Sequence, residues 1–514
     1  MNQSFQKWML FAAMFSSGFC GMVAEYSVGT TVSYLIGNSI AAYTVSISVF
    51  MLAMGVGALV SQSFPEGKEL RLFLFVECML SIAAGGSTIF ITQAARLELA
   101  WVATIAIAFF IGLLIGFEIP LLTRFNEKRK VVLKKNLAFI FSADYLGSFL
   151  AGLSYSALLL PHIGTVNTPI ISGSINLLIV IGMLFTFKHN VTWKSFAPAL
   201  SFAGISLALL AVHGEDIAFA SEQKKYKDPI IFAEQTSYQR VLITETKGHH
   251  CLYLNGGQQF CTTDERRYHE ILVHPAGWVM PNPREVLVLG GGDGLAVREL
   301  LKYPSVERVT LVDLDPRIVE ISKTFEPFRR LNEDALSDSR VQVVSEDAYN
   351  WLQKNEGQFD IIIIDLPDPR QVELAKLYSL EFYTSVRAHL TPNGVVALQS
   401  TSPIHATQAY VTIWATLQAA ELSVVPYRLN IPSFGDWGFQ IAVREKFMSE
   451  DELREKLDQF EETVPTQVVN RAAVQAATRF EKGIFPSDLH TVPISRLIEP
   501  RVYQAYKDAW KVDP

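Results

Sequence analysis

The chain has 514 residues, 49% hydrophobic and 18% charged, with a formal net charge of −7. That length excludes one ordinary domain. The charge is also unevenly divided. Residues 1–213 carry 12 basic and 8 acidic side chains, whereas residues 214–514 carry 32 and 43, so two different solvents are implied.

Seven apolar stretches lie near the roughly 20 residues needed to cross hydrocarbon: 8–30, 40–61, 71–93, 98–122, 137–160, 166–187 and 196–213. They predict an all-α transmembrane helix bundle over residues 1–213, with the lipid bilayer as partner. The first stretch lacks a small-residue cleavage pattern and is followed by further spans, which marks an anchor rather than a removed signal peptide. Glu25, Glu77, Glu118 and Asp144 fall within the spans. An ionisable group at membrane depth costs about 2.5–3.5 kcal/mol and normally faces a cavity or a partner. Glu118, beside Pro120 and near a basic loop, suits interhelical hydrogen bonding by a protonated carboxyl or a place near an interface, while Glu25 and Asp144 fit a pocket for a cation better. Small-residue runs at 55–58, 83–86 and 147–152 suit close helix packing. Loop 123–135 holds six basic residues and is expected to be cytoplasmic. Seven spans would then put the C-terminal domain outside. One helix more or fewer reverses this, so the side is left open.

Residues 214–227 read as a linker. The segments IIFAEQ, RVLITET, CLYLN and QQFC predict a small antiparallel sheet over 228–280. CLYLNGGQQFC is a hairpin candidate turning at Asn255-Gly256-Gly257, with Cys251 and Cys261 symmetric about Gly256. Such a pair is bonded in an oxidising compartment and reduced in the cytosol. Over 281–514 the order strand–glycine turn–helix in REVLVLGGGDGLAVRELLKY is followed by VERVTLVDLDPRIVEISKTF, VQVVSEDAYNWLQ and FDIIIIDLPDP. This alternation predicts an α/β doubly wound, Rossmann-like domain. The isoleucine run reads as a strand buried on both faces, ended by prolines.

Open α/β sheets bind ligands beyond the carboxyl ends of their strands. Asp293, inside the glycine turn, disfavours a pyrophosphate and favours a sulfonium or ammonium. Asp313 ends VTLVD, where a carboxylate can hold a ribose diol. Asp347 is placed to accept from an adenine amino group, and Asp365 with Asp368 follows the fourth strand. One such acid is ordinary solvated surface. Four successive strand ends carrying acids point to a cationic nucleoside and an amine.

Taken together, GGGDG, VDLD, EDA and DLPDP, preceded by SYQRV (237–241) and RYHEIL (267–272), resemble the spermidine synthases, which are polyamine aminopropyltransferases. The resemblance covers roughly 228–445, and the apolar front end resembles the membrane-fused bacterial branch, which implies a multi-pass protein of the cell inner membrane. It implies transfer of an aminopropyl group from decarboxylated S-adenosylmethionine to putrescine or a related amine, giving spermidine and methylthioadenosine. It also implies no metal, no other cofactor, no nucleic acid partner and a homodimer. Carried over, Gln239 and Asp313 hold the nucleoside, Asp347 and Ala348 meet the adenine, and Asp293 grips the ammonium of the aminopropyl arm. His269 lines the polyamine channel beside Tyr268. Asp365 accepts the proton, with Asp368 beside it on the acceptor diamine. Gln259 and Gln399 fall where the family places polar contacts.

Some segments depart from that pattern. RQVELAKLY (370–378) replaces the usual glycine and proline of the gating loop and brings Arg370 next to the amine site. In IPSFGDWGF (431–439), Phe434 stands where a tyrosine is expected, and Trp437 walls the pocket. These changes keep two alternatives open: an S-adenosylmethionine-dependent methyltransferase, and a non-catalytic polyamine-binding membrane sensor or transporter.

Overall fold

The computed structural model describes residues 3–36, 39–128, 131–486 and 491–510. The chain divides into two units, residues 1–230 and 231–514.

Helices α1 (Gln3–Ile36), α2 (Ser39–Val60), α3 (Glu69–Ala95), α4 (Ala100–Glu127), α5 (Leu133–Ser154), α6 (Leu160–Thr186) and α7 (Trp193–Gln223) make up the first unit. They form six continuous stretches long and apolar enough to cross a membrane, because α5 runs through a five-residue π-helix into α6 as one stretch of 54 residues. At 1.5 Å per residue that stretch would be about 80 Å long, far beyond the hydrocarbon thickness. Gly164, at φ +84° inside α6, breaks it between the two expected spans. Close helix approach uses the small residues: a Cβ on Gly116 would lie 2.3 Å from the Met54 carbonyl oxygen, and one on Gly147 2.1 Å from that of Phe15.

The segment 214–227 is largely helix, since α7 continues to Gln223 with no glycine or proline to stop it after Gly214. The Gln223 side chain then closes the helix end, donating to the Asp228 carbonyl (2.9 Å) and accepting from the Ile230 N–H (2.7 Å). Glu118 takes up the interhelical hydrogen bond that was one of its two expected placements: it is 1% exposed inside α4, which continues past Pro120, and its carboxylate accepts from Ser17 of α1.

In the second unit, β1 (Ile230–Gln235), β2 (Arg240–Thr246), β3 (His249–Leu254) and β4 (Gly257–Cys261) form a four-stranded sheet in that order. The β3–β4 turn is Asn255-Gly256, both at positive φ. A two-residue turn alone would set Cys251 opposite Phe260. A bulge at Gln259 advances the register by one residue, so Cys251 faces Cys261 and the two are disulfide-bonded.

The helix α8 (Glu265–Val279) leads into the main sheet, which comprises β5 (Glu285–Gly290), β6 (Arg308–Asp313), β7 (Val341–Ser345), β8 (Phe359–Asp365), β9 (Leu390–Gln399), β10 (Leu422–Ile431) and β11 (Gly435–Arg444). Its order is β10-β11-β9-β8-β5-β6-β7, with β11 antiparallel to both neighbours and β5–β9 parallel. The connecting helices are α9 (Leu295–Leu301), α10 (Pro316–Thr324), α11 (Glu326–Leu331), α12 (Ala348–Lys354), α13 (Leu380–Ala388) and α14 (Thr407–Ala419). After the sheet come α15 (Glu450–Asp458), α16 (Arg471–Ala477) and α17 (Arg501–Ala509).

The isoleucine run is covered on both faces. Ile361 and Ile363 pack with Val286 and Val288, while Ile362 and Ile364 pack with Leu287 and Leu289 on the other side. Because β5 pairs with both β6 and β8, the strand order reverses there, opening a crevice beyond the carboxyl ends of β5 and β8. Gly290 sits at that point, φ +79°, paired with Asp365; a Cβ on it would lie 2.2 Å from the Asp365 carbonyl oxygen. Gly290→Ala is therefore expected to destabilise the domain by about 1–3 kcal/mol, read as a fall of roughly 3–10 °C in the thermal midpoint of the full chain. An unchanged midpoint would contradict this packing.

Candidate active site

Four adjacent parallel strands, β8, β5, β6 and β7, end on one side, and each delivers the expected acid. Asp365 closes β8, Asp293 lies in the turn after β5, Asp313 closes β6, and Asp347 follows β7 as the N-cap of α12. The cluster nearest the crevice joins His269, Asp293 and Asp365, whose ligating atoms all lie within 4.8 Å of one another. Such a trio can hold a cation of some kind, metal or ammonium.

The α8 helix supplies the non-acidic members. Tyr268, 7% exposed, donates its hydroxyl to Asp365 Oδ1 at 2.7 Å. His269 places Nε2 3.7 Å from Asp365 Oδ2. Its Nδ1 lies 2.9 Å from the Glu265 carbonyl oxygen and 3.1 Å from Glu265 Oε2. Both of those atoms only accept, so Nδ1 carries the hydrogen and Nε2 is the nitrogen that faces the acids. Burial would lower the His269 pKa, but the Glu265 hydrogen bond and the charges of Asp293, Glu265 and Asp365 outweigh it, and it is raised. The Tyr268 phenol is pushed up by burial and by Asp365, which keeps it a donor.

Glu265 is itself locked from behind. Arg298 of α9 reaches both its oxygens at 2.9 Å, and Arg298 Nε donates to Glu299 at 2.8 Å. Glu299 in turn contacts His274 (2.8 Å) and Lys302 (2.6 Å). The next residue of the YHE motif, Glu270, is fully buried and accepts the N–H groups of Gln467, Val468 and Val469, tying the segment after α15 to α8. The sequence reading missed Glu265, Arg298 and Glu270. Their charge alone gave little signal, because α8 also carries Arg266 and Arg267 and α9 also carries Glu299.

The remaining candidates divide by what occupies their polar atoms. Asp313 Oδ2 accepts from the Gly292 N–H at 3.0 Å and Oδ1 from the Asp315 N–H at 2.9 Å. Gln239 Nε2 donates to Asp315 Oδ2 at 3.0 Å, beside Thr236 Oγ1 at 2.7 Å, so the second acid of VDLD anchors the β1–β2 turn. Asp347 is not uncompensated: Lys376 lies 2.8 Å from Oδ2, while Oδ1 caps α12 through the Asn350 N–H. Ala348, buried, opens that helix. Asp368, 6% exposed, contacts Thr401 Oγ1 at 3.4 Å through Oδ2 and leaves Oδ1 without a partner. Gln399 is committed to the loop, with Nε2 on the Leu366 carbonyl (2.6 Å) and Tyr378 hydroxyl (2.8 Å) and Oε1 on the Thr401 N–H. Gln259, at the bulge, bonds the Gly257 carbonyl at 3.0 Å. Phe434 stacks between Tyr268 and Trp437, with ring centroids 6.1 and 5.0 Å away, and the Trp437 indole N–H is buried without an acceptor. Arg370 packs its guanidinium against the hairpin turn, where a Cβ on Gly257 would meet Nη1 at 2.4 Å.

Burial raises the carboxyls of Asp293 and Asp313 to about 6. Burial also raises Asp365, with His269 and Tyr268 opposing. A carboxyl raised from 3.8 to about 6 gives its full folding contribution below pH 3.8 and loses it as the pH climbs through 6. Without ligand, Asp293→Asn should therefore melt higher than the natural chain at pH 7.5, the gap closing as the pH falls towards 4. A gap that does not change with pH would mean Asp293 is not held ionised against burial.

A sequence model of the spermine/spermidine synthase domain matches residues 265–453. A polyamine aminopropyltransferase of Oceanobacillus iheyensis is 36% identical over 96% of this chain and 95% of its own length. Polyamine aminopropyltransferase 2 of Aquifex aeolicus is 38% identical over 96% and 97%. The crystal structure of spermidine synthase from Thermotoga maritima is 26% identical, covering 49% of this chain and 84% of that one with a TM-score of 0.43. With identity above 30% across nearly the full length, the chain belongs to the polyamine aminopropyltransferases, a family of enzymes that transfer aminopropyl groups.

Proposed function

We propose that residues 231–514 transfer the aminopropyl group of decarboxylated S-adenosylmethionine to putrescine or a related amine, releasing methylthioadenosine. The observation that carries this reading is the cluster of Asp293, His269 and Asp365 within 4.8 Å at the strand-order reversal. Its carboxylates meet no lysine or arginine ion pair among the described residues, so a cationic substrate supplies the missing charge.

Asp313, with Gln239 nearby, holds the ribose, and Asp347 with Ala348 borders the adenine. Asp293 binds the ammonium of the arm being transferred. The acceptor amine must lose a proton to attack, which at pH 7 costs about 4.6 kcal/mol for a pKa near 10.4. Asp365 takes that proton, directly or through one water; its raised pKa makes it a stronger base than a solvated aspartate. Tyr268 and His269 fix the orientation of Asp365, and the hydroxyl expected from position 434 is supplied on this side by Tyr268. Asp368 receives the distal ammonium. The leaving thioether is neutral, so the chain's own task is alignment and proton acceptance.

The helical unit is proposed to sit in a membrane, which its six long apolar helical stretches and outward side chains such as Leu52, Phe149, Phe202 and Val212 support. A homodimer follows from the resemblance alone and belongs to the same proposal.

Asp365→Asn is expected to lower kcat by at least about 100-fold, with donor binding kept, as read by methylthioadenosine release. Equal release from both chains removes Asp365 from this role, and product gaining a methyl from S-adenosylmethionine instead would favour the methyltransferase reading. Arg370 holds a like charge near the acceptor ammonium. Arg370→Ala should raise kcat/KM for putrescine by about tenfold, on the order of 1.4 kcal/mol. A fall would mean that the guanidinium orders the loop rather than repelling the amine.

A further inference from the structure

The first unit contains a second acidic centre that aminopropyl transfer does not use. Glu77 of α3 and Glu118 of α4 are 2% and 1% exposed. Ser17 of α1 donates to Glu118 Oε2 and lies within hydrogen-bonding reach of Glu77 as well. Asn176 of α6 donates Nδ2 to Glu77 Oε2 at 2.6 Å, with Ser81 Oγ at 3.4 Å. Ser172, four residues earlier on the same face of α6, accepts the Cys20 thiol on its carbonyl at 3.1 Å. Four helices thus bring polar groups to one place in an otherwise apolar bundle. Among the described residues, no lysine or arginine forms an ion pair with either glutamate.

Four buried oxygens there lack a hydrogen-bond partner: Glu77 Oε1, Glu118 Oε1, Asn176 Oδ1 and Ser172 Oγ. The last two are independent of the acids. They belong to neutral side chains 1% and 3% exposed, and Asn176 is aimed into the centre by its bond to Glu77. Leaving one buried acceptor unpaired costs about 1–3 kcal/mol, and a charged one costs more, so four together call for an occupant. Two carboxyls without a lysine or arginine partner select a cation over an anion. An all-oxygen set selects a hard cation. Ser17 and Asn176 already occupy one oxygen of each carboxylate, which leaves too few for a divalent ion seeking about six to eight oxygen ligands.

We propose that Glu77, Glu118, Asn176 and Ser172 form a binding site for one compact monovalent cation, either a sodium ion or the ammonium head of an alkylamine.

The test uses the purified full chain in detergent, with sodium exchanged for choline at constant ionic strength and pH. The natural chain should bind one ²²Na⁺ per molecule and melt several degrees higher in sodium, as a ligand specific to the folded state requires. Glu118→Gln and the milder Ser172→Ala should weaken binding at least tenfold and abolish the sodium-dependent shift. A size-exclusion profile shared with the natural chain shows that each variant is folded. Methylammonium in place of sodium distinguishes the two sources. Binding of methylammonium but not sodium, lost in Glu118→Gln, identifies the occupant as an ammonium and upholds the site. Binding of neither ion, or equal binding by the natural chain and both variants, overturns it. Stabilisation by acid alone, insensitive to either ion, means that the carboxyls only share protons, and also overturns it. None of these outcomes depends on transferase activity, so failure here and failure of the proposed function are separately readable.

Discussion

The second unit is organised around one electrostatic arrangement: two half-buried carboxylates and a buried imidazole with their ligating atoms inside 4.8 Å. Two like charges at that distance repel by about 3–4 kcal/mol at an effective dielectric near 20, on top of the desolvation of each. A chain does not hold such a cluster without a rigid frame. The frame is a parallel sheet whose central strands are buried on both faces, so Asp365 and the turn bearing Asp293 cannot drift apart to relieve the repulsion. Burial is the first cause of the raised carboxyls of Asp293, Asp313 and Asp365, and the charge of Asp365 adds to it for the other two.

A second frame stands behind His269. Glu265, Arg298, Glu299 and His274 form a continuous buried chain of polar contacts between α8 and α9. Replacing such buried pairs by apolar residues is often neutral or stabilising in other proteins. Their value here lies in geometry. A bidentate arginine fixes the Glu265 carboxylate, which fixes the hydrogen on Nδ1, which leaves Nε2 facing the acids. Glu270 serves a parallel purpose in holding the C-terminal segment to the same helix.

The loops around the crevice trade partners in ways that modify the acceptor side. Lys376 takes up Asp347, Gln399 braces the segment after β8, and Arg370 lies against the hairpin turn at Gly257. The bulge at Gln259 that allows the Cys251–Cys261 bridge belongs to that same hairpin. The disulfide and the turn against which Arg370 packs thus belong to one hairpin, and Phe434 packs between Tyr268 and Trp437, beside the Tyr268–Asp365 hydrogen bond.

Much of this was legible in the chain before any coordinates. The βα alternation, the doubly buried isoleucine strand, the glycine turn and the acids at four strand ends follow from periods and residue types that act over a few positions. The left-handed turn at Asn255-Gly256 is legible for the same reason. What the tertiary structure alone decided is which distant group meets which. Lys376 on Asp347, Gln239 on Asp315, Arg298 on Glu265 and Ser17 on Glu118 join positions up to 101 residues apart. Local pattern records only that a polar side chain is present, not which donor packing brings to it. The same limit explains the linker that proved to be helix. Nothing within 214–227 stops α7, and its end is set by the Gln223 side chain closing on Asp228 and Ile230.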